Sequence, residues 1–192
     1  MTEKPFAISV SDDRLSLLRR KLELATLPDE LEDADWKYGV PLADIKRLVE
    51  RWKNGYDWRK HEKELNNELP MFTRDIDVDG FGSLNIHYVH KKSTVTNAIP
   101  LLFCHGCMCC LLISVSRLLT ERLGPGSFLE VSKLLPLLTA SFPDSPSFHV
   151  VALSLPGYGF SEAPRKQGFS VKQYAEVCPH LSVMSSTTHI YG

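Results

Sequence analysis

The sequence lacks an excess of charge of either sign. Its 22 Lys and Arg residues balance 23 Asp and Glu residues, which leaves a formal net charge of −1 at pH 7. A protein that binds nucleic acid needs a basic surface to neutralise phosphates, and this composition does not supply one. We therefore expect no nucleic-acid partner.

Recognisable targeting segments are also missing, and the cysteines are odd in number. The first 14 residues, MTEKPFAISVSDDR, have no apolar core like that of a secretory signal. The uncharged stretch Cys104–Ser116 is shorter than the roughly 20 residues that a membrane-spanning helix needs. The five cysteines form no even disulfide framework, which is typical of a reducing compartment. We therefore expect a cytoplasmic protein without a membrane span.

Apolar residues recur at helical spacing in the first third of the chain. The pattern predicts helices over residues 11–27, 41–55 and 57–65. Ser11 or Asp12 is suited to cap the first helix, and Pro41 is suited to the first turn of the second. Three tryptophans fall beside these helices and are expected to pack against them: Trp36, Trp52 and Trp58.

After Pro70 the apolar period changes from helical to alternating. Residues 72–90 alternate around Asp79-Gly80, which predicts a β-hairpin. Two continuous apolar runs, IPLLFCHG and HVVALSLPG, predict buried parallel strands, and FLEVSKLLPLLTA between them predicts a crossover helix. The predicted class is α/β: a helical N-terminal meander, then an incomplete sheet made of the hairpin, the first parallel strands and one crossover helix.

The carboxyl ends of the two predicted parallel strands carry the loops of interest. His105-Gly106 follows the first strand, and Pro156-Gly157-Tyr158-Gly159 follows the second. Ligands of open parallel sheets bind outside the carboxyl ends of the strands. His87, His90 and His149 fall on strands and are expected to be ordinary hydrogen-bonded histidines.

The order of several motifs carries a family resemblance. These are LRRKLELATLP, DADWKYGVPL, LVERWKNGYDWRKHEKELN, FTRDIDVDGFGSLNIHYVHKKS, IPLLFCHG, PGSFLEVSKLLPLL and FHVVALSLPGYGFSEAP. The chain resembles the epoxide hydrolases of the α/β-hydrolase superfamily, in the microsomal-like branch that has an N-terminal wrapping segment. The resemblance implies a wrapping segment over residues 1–95, the first part of the hydrolase domain over 96–178 and an unrelated polar tail over 179–192.

That resemblance implies a reaction as well. Complete members open a small-molecule epoxide with an Asp nucleophile, and a His-activated water hydrolyses the alkyl-enzyme ester without any metal or cofactor. A loop written HG-W-PGSF contributes an N–H to the oxyanion hole. Here its remnant is His105, Gly106, Pro125 and Gly126.

Other catalytic parts of the family are not found in the sequence. No Gly-Gly-Asp-Trp-Gly elbow, acidic partner, lid tyrosine pair or base is recognised, so we expect the 192-residue chain to be inactive. His189 lies in a Ser/Thr-rich stretch and is expected to be an exposed histidine. A serine hydrolase is a weak alternative, because neither Ser154 nor Ser161 lies in a G-x-S-x-G elbow.

Residues 107–124 stand where the family has one Trp, and three interpretations compete. The cysteines at 107, 109 and 110 lack the paired C-x₂-C spacing of a zinc site. The leucines that follow approximate a helical face. Finally, the excess of 17 residues equals 51 nucleotides, and its codons permit an in-frame intron whose removal would restore HGWPGSF.

A non-catalytic role is the contrasting hypothesis. In relatives the wrapping segment packs around the rest of the enzyme. Under this hypothesis we expect the chain to bind a full-length relative through that segment. The apolar segment 107–115 and an unpaired sheet edge would also favour self-association.

Overall fold

The computed structural model describes residues 2–104 and 127–182. Contacts divide the chain into a helical unit, Ile8–Leu65, and a sheet unit that combines the N-terminal residues up to Ala7 with the chain from Asn66 onward. The helices are α1 (Asp12–Glu23), α2 (Leu42–Asn54), α3 (Trp58–Glu68), α4 (Leu135–Thr139) and α5 (Val171–Ser182). The strands are β1 (Lys4–Pro5), β2 (Met71–Val78), β3 (Gly82–Lys91), β4 (Ile99–Phe103) and β5 (Phe148–Leu153).

The three helices predicted for the first third of the chain are confirmed. Ser11 caps α1, because its Oγ accepts a hydrogen bond from the Arg14 N–H at 3.4 Å. Pro41 precedes α2 and Gly55 follows it, as their helix-start and helix-end preferences predict. A short 3₁₀ helix, Asp35–Lys37, lies between α1 and α2.

Glu62 of α3 is the polar centre of the helical unit. Its side chain is largely buried and accepts hydrogen bonds from the Val10 N–H (2.7 Å), Arg59 Nη1 (2.6 Å) and Trp58 Nε1 (3.2 Å). These hydrogen bonds, first of all the one from Val10, hold the pKa of Glu62 below its ordinary value. Glu62 thus ties the segment that enters α1 to α3.

The tryptophans do not all pack as expected. Trp58 is bound to Glu62, but Trp36 and Trp52 are 65% and 53% exposed, so the packing expectation is wrong for these two. The helical spacing of the residues around them gave no sign of this difference.

Within residues 2–104 and 127–182, every helix is too short or too polar to cross a membrane.

The described strands form one mixed sheet in the order β1-β2-β3-β5-β4. The predicted hairpin is β2-β3, closed by Val78↔Gly82, and Gly80 takes a φ of +77° in its turn. The predicted parallel pair is β4-β5, while β3 and β5 run antiparallel. The α/β class with a hairpin and parallel strands is therefore confirmed.

The crossover between β4 and β5 differs from the prediction of one helix. It contains a 3₁₀ helix, Phe128–Val131, and then the short α4. Pro136 lies in the first turn of α4, where its missing N–H is tolerated, and it would break a continuous helix at this point.

Helix α5 covers one face of the sheet. Val177 and Leu181 of this helix are fully buried and pack with Ile86 and Tyr88 of β3. Residues Pro179–Ser182, which the sequence assigned to a polar tail, thus continue α5. The remainder of that predicted tail lies outside the described residues.

Candidate functional site

The parallel pair sets the place of the candidate site. Phe103 of β4 lies beside Ala152 of β5, so the carboxyl ends of the two parallel strands lie next to each other. His105, Gly106, Pro125 and Gly126, the predicted oxyanion-loop residues, lie outside the described residues, as do the segment 107–124 and His189. The described part of the site is therefore Cys104, the chain from Ser127, and the loop after β5.

Ser127 caps the 3₁₀ helix Phe128–Val131. Ser127 Oγ accepts a hydrogen bond from the Leu129 N–H at 3.1 Å, and the Glu130 carboxylate accepts one from the Ser127 N–H at 2.7 Å. This reciprocal arrangement is a capping box. Phe128 follows it into the interior and is buried. Ser127 and Phe128, the last two residues of the PGSF motif, thus begin an anchored turn over residues 127–131, which we call the PGSF turn.

The loop after β5, residues 154–162, is held by its own backbone and by β3. The Gly157 N–H donates to the Glu162 carbonyl at 3.1 Å, and the Tyr158 N–H donates to the Leu155 carbonyl at 2.8 Å. The Glu162 N–H then donates to the Asn85 carbonyl of β3 at 2.8 Å. The PGYG motif is therefore a compact, ordered turn.

Gly159 is required in this loop for two reasons. Its φ is +54°, in the left-handed region that L side chains rarely adopt. A Cβ there would also lie 2.7 Å from Ser154 Oγ and 3.7 Å from Phe128 Cδ1. The backbone of the loop therefore approaches the Ser154 side chain as closely as a glycine permits.

His87 of β3 connects this loop to the sheet. Its Nδ1 is hydrogen-bonded to Ser154 Oγ at 2.9 Å, and its N–H donates to Ser161 Oγ at 2.9 Å. The Ser154 N–H donates to the His87 carbonyl at 2.9 Å, and Ser161 Oγ donates to the Ser154 carbonyl at 2.6 Å. One residue of β3 is thus bonded to both ends of the loop.

The surroundings of the His87 ring are apolar. Phe6, Phe128 and Phe160 contact it edge to face, with ring centroids 4.8, 4.7 and 5.4 Å away. Burial lowers the pKa of His87 to about 4, so the imidazole is neutral near pH 7. Among the described residues its Nε2 has no hydrogen-bond partner.

Ser154 and His87 have the separation of a nucleophile and its base, but the pair is closed to substrate. Ser154 is 4% exposed and His87 is 0% exposed. Nucleophilic catalysis requires that the hydroxyl reach a bound reactant. The geometry therefore makes the pair structural, and the Ser-nucleophile alternative gains no support from it.

The other strand histidines are bonded as predicted through one ring nitrogen. His90 Nδ1 lies 3.2 Å from Glu3 Oε2, and His149 Nδ1 accepts a hydrogen bond from the Ser93 N–H at 3.0 Å. Within residues 2–104 and 127–182 no three His, Cys, Asp or Glu side chains are grouped to hold a metal ion.

Comparison with known proteins extends this picture. The family model described as "Epoxide hydrolase N terminus" matches residues 3–110. "Juvenile hormone epoxide hydrolase 2" of Ctenocephalides felis is 34% identical over 182 residues, which are 93% of this chain and 34% of that protein. "Epoxide hydrolase 1" of Sus scrofa is 34% identical over 175 residues, 87% of this chain and 34% of that protein. The chain thus spans about a third of the length of these relatives.

Solved structures agree with the fold. The epoxide hydrolase of Aspergillus niger superposes with a TM-score of 0.72 at 29% identity, covering 94% of this chain and 42% of that one. The juvenile hormone epoxide hydrolase of Bombyx mori superposes with a TM-score of 0.74 at 27% identity, covering 95% of this chain and 39% of that one.

Proposed function

Because the chain belongs to the epoxide hydrolase family and has its α/β-hydrolase fold, we propose that the protein, in the full length of its relatives, hydrolyses an epoxide to a vicinal diol. The observation that carries the proposal is the family match over residues 3–110. The anchored loops at the carboxyl end of the β4-β5 pair support it, because they lie where ligands of such sheets bind.

The proposed reaction uses a covalent intermediate. A carboxylate attacks an epoxide carbon, the C–O bond to the epoxide oxygen breaks, and an alkyl-enzyme ester forms. Water activated by a histidine then attacks the carbonyl carbon of the ester, the C–O bond to the diol breaks, and the carboxylate is regenerated. The two protons of the water pass, through the histidine and the acid that donates to the epoxide oxygen, to the two oxygens of the diol. No metal or cofactor is needed for either step.

We assign the oxyanion loop of this reaction to His105-Gly106 and Pro125-Gly126. Support comes from the HG-W-PGSF pattern on either side of residues 107–124 and from the anchored turn that Ser127 begins. Donor groups of an oxyanion hole must be placed within fractions of an ångström, so 17 additional residues between these pairs would displace them. The in-frame intron interpretation removes that conflict.

The 192 residues by themselves are proposed to be inactive, because neither a Gly-Gly-Asp-Trp-Gly elbow nor a recognisable base is found in them. The purified chain should give no more diol from styrene oxide or stilbene oxide than a buffer blank, as measured by chromatography of the products. Diol formation above that blank, proportional to protein concentration, would overturn this part of the proposal.

The cytoplasmic location stays part of the proposal and is checked by cell fractionation.

A binding role is the second candidate, favoured by one observation on the helical unit. A groove of about 500 Å³ is lined mainly by apolar side chains of α1 and the α2–α3 region, among them Leu15, Leu18, Leu22 and Trp52. Exposed apolar surface of this kind marks protein contacts. Co-purification of a tagged chain with a full-length relative supports this role. Self-association measured by sedimentation, with no relative bound, counts against it.

A further inference from the structure

We propose that His87 is a positioning residue for the candidate site at the carboxyl ends of β4 and β5. Its imidazole holds the loop 154–162 and the PGSF turn in a fixed position relative to each other. The catalytic meaning of this placement rests on the proposed function. The placement itself is a property of the described fold and can be tested without turnover.

The first step of the argument is the number of bonds that converge on one residue. His87 contributes its N–H, its carbonyl and its Nδ1, and all three go to Ser154 or Ser161. A strand residue ordinarily uses only its backbone for a neighbouring strand. Here the side chain adds a bond to the residue that begins the loop, so the imidazole fixes the rotamer of Ser154.

The second step is the contact between Ser154 and Gly159. Because a Cβ at Gly159 would lie only 2.7 Å from Ser154 Oγ, the hydroxyl fills the space against the glycine. If His87 releases the hydroxyl, Ser154 can rotate and the turn loses the surface that it packs on. The position of His87 is therefore transmitted to the tip of the loop.

The third step is the set of rings around His87. Phe128 belongs to the PGSF turn and Phe160 to the loop after β5, and both contact the same imidazole. Phe6 of the N-terminal segment closes a further side. His87 thus touches both described borders of the candidate site.

Charged groups on the elements around His87 are engaged elsewhere. Glu162 of the loop accepts hydrogen bonds from the Asn85 N–H and from Arg165. On the N-terminal segment and the PGSF turn, the charged residues and their partners are Glu3 with His90 and Tyr88, Lys4 with Asp75, and Glu130 with the Ser127 N–H. Among the residues that the structure describes, a proton on His87 would therefore meet aromatic rings and one hydroxyl, with no counter-ion at the ring.

Release at acidic pH follows from this environment. Burial among the rings lowers the pKa of His87 to about 4, so the neutral ring holds the loop at pH 7. As the pH falls below about 5, the loop should open in proportion to protonation of this one ring.

The experiment is amide hydrogen exchange of the 192-residue chain, resolved by NMR. The Tyr158 and Glu162 amides report on the loop, and the Val89 and Val151 amides report on the sheet. His87→Leu keeps an apolar volume but removes the Nδ1 bond. His87→Asn keeps a hydrogen-bonding group near the Nδ1 position and removes the titration. His149→Gln is the matched control, because His149 is a strand histidine bonded to Ser93 at the end of β5 opposite to the loop.

We expect exchange of the loop amides to rise about tenfold in His87→Leu relative to the sheet amides, and to stay near wild type in His87→Asn and His149→Gln. In the wild type the protection of the loop amides, corrected for the intrinsic exchange rate at each pH, should fall below about pH 5, and both His87 variants should lose this response. If His87→Leu does not fold, Ser154→Ala and the wild-type titration supply the same test.

Two results for His87→Leu at neutral pH would overturn the proposal: unchanged exchange of the loop amides, or an equal rise in loop and sheet amides, which would make His87 a core residue only. Neither result depends on diol formation. Failure of the proposed reaction would therefore leave the loop measurement intact, and failure of the loop measurement would leave the reaction untouched.

Discussion

Replacement of Gly159 by Ala tests how tightly the loop after β5 is built. In Gly159→Ala the backbone of residue 159 would have to keep a φ of +54°, which costs an L residue about 1–2 kcal/mol. Its Cβ would also stand 2.7 Å from Ser154 Oγ and 3.1 Å from Ser154 Cβ, so Ser154 must move and weaken its bond to His87. Forced repacking of this kind costs about 1–3 kcal/mol.

We therefore expect Gly159→Ala to lower the free energy of unfolding of the sheet unit by about 3 kcal/mol. Gly80→Ala is the matched control: Gly80 has a φ of +77°, but a Cβ there meets no atom within 4 Å. Its cost should be the conformational part alone, about 1 kcal/mol.

The assay must report on the sheet unit. All three tryptophans lie at positions 36, 52 and 58, so intrinsic fluorescence follows the helical unit only. Native-state hydrogen exchange of the β5 amides measures the stability of the sheet unit instead. Equal losses in Gly159→Ala and Gly80→Ala would refute the close packing of Ser154 against Gly159.

Three further predictions concern other parts of the chain. Because the His87 pKa is about 4 when folded and near 6.5 when unfolded, the unfolded state binds the proton more readily. Stability of the sheet unit should therefore fall as the pH drops below 6.5, by about 3 kcal/mol at pH 4, as measured by hydrogen exchange. An equal dependence of the free energy of unfolding on pH in the wild type and in His87→Asn would contradict this prediction. Glu62→Gln should lower the midpoint of thermal unfolding followed by tryptophan fluorescence, because a neutral amide binds Arg59 and the Val10 N–H more weakly. Glu64→Gln, a change at a more exposed carboxylate, should have little effect, and equal shifts would argue against a central role of Glu62. Leu181→Ala should cost the sheet unit about 2–5 kcal/mol in hydrogen exchange, because the side chain is fully buried, and a loss below about 1 kcal/mol would show that α5 is not docked.

Periodicity predicted the elements that have a clear apolar pattern. α2 was expected over 41–55 and extends over Leu42–Asn54, and the hairpin turns at Gly80 as its Asp-Gly pair indicates. These elements follow from local chemistry, since capping residues and left-handed glycines act on their own neighbours.

α5 was missed although a signal was present. Val171, Tyr174, Val177 and Leu181 are spaced at three, three and four residues, which is a helical stripe. Pro179 and the serines after it suggested an irregular segment instead. Burial of Val177 and Leu181 against the sheet stabilises the helix despite the proline.

The link between His87 and Ser154 could not be predicted from the sequence. The two residues are 67 positions apart, and neither lies in a motif that names the other. The pairing arises because β3 and β5 become neighbours in the sheet order. The sequence predicted that the candidate site lies at the carboxyl ends of the two parallel strands. Which side chains support that site depends on the long-range pairing of β3 with β5.

The most direct test of the proposed function is the sequence of the mature transcript across codons 105–126 and beyond codon 178. We predict that the 51 excess nucleotides are absent and that the reading frame continues to a Gly-Gly-Asp-Trp-Gly elbow, which would supply the nucleophile of an epoxide hydrolase. A mature transcript that retains these nucleotides and stops after Gly192 would contradict the proposed hydrolysis and leave the binding role.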